Sequence, residues 1–113
     1  MNILSDLYTA LSALDIPIET GVFKDEAPER YIVIVPMVES FELHADNNPG
    51  MDIQEVRLSL YSQGNYIKDK NVLVKMLLGA DFTITDRRFI GYETETGYYH
   101  YAVDVAHYYE MED

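Results

Sequence analysis

An α+β fold, two helices packed on a mainly antiparallel β-sheet in the order α-β-β-β-α-β-β, is what this chain of 113 residues predicts. Three observations lead there. Ile3–Leu14 and Tyr66–Leu78 space their apolar residues at the helical period. Other runs, rich in Val, Ile, Tyr and Thr, alternate in polarity or are apolar throughout, as strands are. The last run, Tyr98 to Tyr109, packs five of the ten tyrosines with Val, Ala, His and a single Asp. At about 3.3 Å per residue it reaches ~40 Å, roughly twice an ordinary strand. A strand longer than its sheet leaves edge for another chain, so the expectation is a protein built to assemble.

In Ile3–Leu14, residues Ile3, Leu4, Leu7, Tyr8, Ala10, Leu11 and Leu14 share one arc. Asn2 is the expected N-cap, and Asp15 with Pro17 the stop. Ile16–Val22 follows as a short first strand that Pro17 confines to a start or an edge. Phe23–Arg30 is polar, carries Pro28, and reads as a loop. Tyr31-Ile-Val-Ile-Val35 is apolar on both faces, the mark of a strand inside a sheet, and Pro36 ends or bends it. Phe41, Leu43 and Ala45 then alternate with polar neighbours. The stretch His44–Met51 concentrates turn formers, and Asp52–Ser62 alternates with Val56, Leu58 and Leu60 on one face. These two runs predict a long hairpin whose flexible tip contains His44, Asp46, Asn47, Asn48 and Met51. Asn65 caps the second helix and Gly79 stops it, with Lys68, Asn71 and Lys75 as the wet stripe. Phe82–Thr85 is a short strand that Arg87–Tyr92 extends, and Glu93–Gly97 turns into the last strand. Nothing divides the chain, and one domain of this size buries a core without metals or disulfides.

Charge narrows the function. Twenty Asp and Glu against eight Lys and Arg give −12, which repels phosphate backbones and argues against general nucleic-acid binding. Tyr66–Leu78 reverses the sign, with Lys68, Lys70 and Lys75 against Asp69. A basic element on an acidic body suits head-to-tail self-contact, though a solvated helix face explains it as well. There is no cysteine, so no thiolate metal site or disulfide forms. The first residues show no signal-peptide pattern, and no apolar run approaches the ~20 residues of a membrane span. The expectation is a soluble, intracellular chain.

Catalytic vocabulary is thin. His100 and Asp104 fall on one face of a strand and His107 on the other, a poor zinc set even with His44 added. Asp46, Asn47, Asn48 and Asp52 miss the spacing of a calcium loop and its bidentate Glu. No nucleophile elbow or glycine-rich phosphate cradle appears. The expectation is no enzyme, no metal and no cofactor. The tyrosine run has two faces in this reading. Tyr99, Tyr101, Val103 and Val105 are the core side, and Tyr98, His100, Tyr108 and Tyr109 a low-entropy surface for a partner.

The order of elements, with Tyr-Ile-Val-Ile-Val from Tyr31, Val-Arg-Leu-Ser-Leu-Tyr-Ser from Val56, a mid-chain helix ending in Leu-Leu-Gly, and Thr96 through Val105, resembles a phage family. It is similar to the tail-completion, tail-terminator and head–tail joining proteins of long-tailed (siphovirus-type) bacteriophages and prophages. The resemblance implies a virion structural protein at the tail end or head–tail interface, assembled in the bacterial cytoplasm as a ring, commonly a hexamer. It implies contacts with the tail tube protein and head connector proteins, no membrane, no enzymatic activity, and DNA passing through an acidic lumen. Lys68 and Lys75 become candidates for the contact between copies, and the Glu42–Asp52 tip for docking. The competing class is a small acidic binding protein of the DNA-mimic type, which inhibits a nucleic-acid enzyme by itself.

Overall fold

Residues 2–20, 27–45 and 48–110 are described by the structure, a computed structural model, with the backbone alone for 37–45 and 48–51. The elements run α1 (Ile3–Ala10), β1 (Ile18–Thr20), β2 (Arg30–Ala45), β3 (Asn48–Ser62), α2 (Tyr66–Gly79), β4 (Thr83–Tyr92) and β5 (Tyr99–Glu110). The strands form one sheet in the order β1-β2-β3-β5-β4. Only β1, against β2, is parallel; the other three pairings are antiparallel. The expected α+β class and element order are those observed.

Both helices cover one face of the sheet. Ile3, Leu7 and Leu11 from the first, and Leu73 and Leu77 from the second, meet Ile32, Ile34, Val56, Leu58, Leu60, Tyr101, Val103 and Val105 from the central strands. Alternation explains the selection, since every second residue of a strand points at the helices. Removing so many Leu, Ile and Val side chains from water is the main stabilising term, at about 1.5–3 kcal/mol for each fully buried one.

Helix boundaries follow their caps. Asn2 accepts from Ser5 N–H at 2.8 Å, as expected. However, α1 ends at Ala10 and not at Leu14. Thr9 donates back to Ser5 O and Ser12 to Thr9 O, and Ser12 N–H pairs three residues back, tightening the chain into turns. Leu11 stays buried, so the apolar arc outlasts the helix. At the other helix, Asn65 accepts from Lys68 N–H at 3.1 Å. Gly79 is still helical, and the stop lies at Asp81, whose φ is +66°. Phe82 N–H reaches Leu77 O and Asp81 N–H reaches Leu78 O, a Schellman ending sealed by the buried Phe82–Leu77 pair.

The strands are longer than the sequence pattern suggests. Pro36 bends β2 without ending it, because Met37 is extra between the pairs Pro36↔Val56 and Val38↔Glu55. The hairpin stays paired through His44↔Pro49 and Ala45↔Asn48. His44, Asn48 and Met51, expected in a tip loop, therefore lie on strands. Asp46 and Asn47 lie outside the described residues, as does Val22, expected at the end of the first strand. The ribbon gives the molecule a length of 54 Å against 24 Å in the other two directions.

Candidate assembly surface

The last strand is an inner strand. All twelve of its residues pair with β3, and from Ala106 back to Tyr99 its other side pairs with β4. Only its final residues, 107–110, extend past β4, so the expectation that an overlong last strand supplies the free edge is corrected by its place in the strand order. The long edges belong to β2 and β4. Among the described residues, β1 covers the outer side of β2 only at Ile32–Ile34, leaving Val35–Ala45 open. Among the described residues no strand pairs with the outer side of β4, which lies at the end of the sheet.

The tyrosine surface expected from Tyr98, His100, Tyr108 and Tyr109 is not one patch. Tyr98 is only 7% exposed. Its hydroxyl donates to Pro28 O at 2.6 Å, and its ring meets Tyr31 and Tyr61 edge-on. Tyr109 shares its parity with Tyr101 and lies on the helix side, donating to Asp6 Oδ2 at 2.6 Å. Burial, then the Asp6 carboxylate, hold the Tyr109 hydroxyl above its ordinary range. Tyr108 is exposed on the face without helices. His100 shares that face, eight residues and about 26 Å away along the strand.

His100 belongs to a cross-strand ladder. Tyr31, Tyr61 and His100 occupy one row on β2, β3 and β5, stacked at 4.7 Å and 4.3 Å. Such rows stabilise a sheet beyond the area they bury. Burial pushes the Tyr31 hydroxyl up to about 12, helped by Tyr61, Tyr98 and Glu93, and raises Tyr61 also. Burial lowers His100, with Glu93 opposing and Arg57 adding to the shift. Its Nε2 is buried without a hydrogen-bond partner. The ladder is thus an uncharged aromatic strip at neutral pH. Beside it, Arg57 holds Asp104 through two bonds of 2.8 and 3.1 Å across β3 and β5.

Lys68 and Lys75 are exposed on the outward side of α2, one wet stripe as expected. Lys70 instead turns to the sheet, its Nζ 5.2 Å from the centre of the Tyr101 ring. Asp69 is buried where α2 begins, bound to Arg30 at 2.9 Å and to Ser62 at 3.1 Å. Arg30 also donates to Asp15 O. This junction ties the helix to both strands of the ribbon and was invisible as anything but a charge in the sequence.

The strongest surface feature was missed in the sequence. Phe89, Ile90 and Tyr92 on β4 are 49, 46 and 50% exposed, and Ile67, beside Tyr66 at the start of α2, is 51% exposed. Tyr66 stacks on Tyr99 at 5.0 Å and lies 5.4 Å from Phe89, while Tyr92 lies 4.6 Å from Tyr99. Aromatic surface therefore runs from the start of the helix to the sheet edge. The adjacent Arg87-Arg88-Phe89-Ile90 was the available signal: two charges followed by two bulky apolar residues on a short strand.

Among the described residues no group of three His, Asp or Glu side chains is placed to hold a metal ion, and no helix is long and apolar enough to cross a membrane. Comparison with models of protein families returned no match, and comparison with curated proteins returned none.

Proposed function

We propose that this chain is a structural subunit of a phage or prophage tail, forming a ring that terminates the tail tube or joins it to the head. The observation that carries the reading is a sheet with two long edges left open among the described residues, one of them lined by exposed Phe89, Ile90 and Tyr92. Monomeric proteins blunt or cover such edges, and a large apolar side chain left beside one marks a contact surface. The sequence resemblance supplies the rest: a hexameric ring as the assembly, the tail tube protein and head connector proteins as neighbours, and the virion as the location. The strong negative charge suits passage of DNA, because acidic walls offer phosphates no cation to bind. In this reading no catalytic residue or cofactor takes part.

The test is to induce lysis in the source organism, purify the tailed particles, and count this protein against the major capsid protein. The expected result is a few copies per particle, lost with the tail when heads are separated. Absence from intact tailed particles overturns the reading and favours an acidic inhibitor of a nucleic-acid enzyme.

A further inference from the structure

We propose that neighbouring copies join by strand pairing, the outer edge of β4 (Thr83–Tyr92) in one copy lying against the outer edge of β2 from Val35 to Ala45 in the next. This rests on the ring reading above and names the contact that builds it.

Strand direction favours the contact. Three antiparallel pairings separate β2 from β4, so the two edge strands run in opposite senses within one copy. A rotation that preserves strand direction brings the two edges together antiparallel, as in the rest of the sheet. The contact is heterologous, joining different surfaces, and such contacts close into rings when the rotation divides a full turn.

Charge selects the same pair of edges. From Val35 to Ala45 the sequence holds Glu39 and Glu42, one histidine (His44), and no Lys or Arg. On β4, Arg87 and Arg88 outnumber Asp86. Arg88 also binds Asp86, so some of its charge is already engaged. Two extra residues, Thr85 and Ile90, interrupt the pairing of β4 with β5. Bulges and arginines deter unrelated strands from adding to an edge, and an acidic edge is the one these arginines admit. Apolar area is available on both sides, from Phe89, Ile90 and Tyr92 to the exposed Val35.

The register requires an overhang. Through β5 and β3, Thr83 is level with Val38 and Tyr92 with Arg30. The open part of β2 begins at Val35, so a full overlap offsets neighbouring copies by about six residues, ~20 Å at the rise of a strand. Strands tilted to the ring axis supply such an offset, as they do in closed barrels. The ribbon of each copy then overhangs the next.

Charge reversal tests the contact by sedimentation, with circular dichroism to verify folding. Arg87→Glu/Arg88→Glu and Glu39→Arg/Glu42→Arg should each weaken self-association on the order of 100-fold, through like-charge juxtaposition. Mixing the two should restore rings in which the variants alternate, because both contacts between unlike copies are matched and only those between like copies repel. All four changes in one chain should restore rings. A short bis-maleimide should also join Arg88→Cys to Glu39→Cys in mixed rings, in a chain otherwise free of cysteine. Wild-type protein that stays monomeric at millimolar concentration overturns the proposal, as do rings undisturbed by the β4 reversal. Rings that obey the charge rules but never enter particles leave the contact standing and overturn the tail role. Incorporation into particles by the β4 reversal at wild-type level does the opposite.

Discussion

Tyr109 and Asp6, separated by 103 positions in sequence, share a 2.6 Å hydrogen bond that ties the end of the last strand to the first helix. The phenol donates to the carboxylate, and both side chains are only partly buried. Replacing Tyr109 with Phe keeps the ring and removes the bond. The expected cost is ~1 kcal/mol, the usual net worth of a hydrogen bond. Urea unfolding read by circular dichroism checks it, and an unchanged midpoint would refute the assignment.

Arg57 and Asp104 should behave as a unit. Asp104 is buried, whereas Arg57 is about one-third exposed at 34%. Arg57→Met strands the carboxylate and should cost ~2 kcal/mol, below the 3–5 kcal/mol of a fully buried pair because water reaches the arginine side. Adding Asp104→Leu should recover most of the loss. A double change as damaging as the two single ones combined would show that the pair is not coupled.

Asp81 offers a gain. Its φ of +66° suits glycine better than any residue with a Cβ. Asp81→Gly should raise stability by about 0.5–1 kcal/mol, since the Schellman ending is retained and local strain relieved. A lower melting temperature would mean that the Asp81 side chain contributes more than its backbone costs.

His100 should make stability depend on pH. Its proton affinity is lowered in the fold, chiefly by burial, so the unfolded chain binds the proton more readily. Stability from this group is therefore complete above the unfolded value of about 6.5 and declines as pH falls through the lower folded value. His100→Phe keeps a ring on Tyr61 and removes the titration. Urea midpoints at pH 7.5 and pH 5.5 should differ less for the variant than for the wild type; equal differences would exclude His100 as the source.

Local patterns carried most of the architecture. The helix caps Asn2 and Asn65, the alternation from Val56 to Leu60, and the apolar run from Tyr31 could all be read because each depends on near neighbours. Pairing between distant strands could not. No local signal says that β5 lies between β3 and β4, and that order decides which strands are edges. Tyr98 looked like surface because its partners, Pro28 and Tyr31 from one stretch and Tyr61 from another, come from remote parts of the chain. Tyr109 was misplaced by parity alone; counting in twos from Tyr101 puts it with the core. Asn48-Pro49-Gly50 resembles a turn, yet the backbone pairing of the ribbon carries through it. The exposed Phe89 and Ile90 were legible as residues but not as surface, because exposure depends on which side of a sheet has no neighbour.

The short strand β1 has an effect out of proportion to its three residues. A strand arriving along the outer side of β2 can slide toward the start of that strand only until it meets β1 at Ile34. There the hydrogen-bonding groups are already taken, and further travel is blocked. In the proposed joint, β1 is therefore a mechanical stop that limits how far one sheet can overlap the next. Lengthening it would shorten the landing strip, and deleting it would let the joint slip.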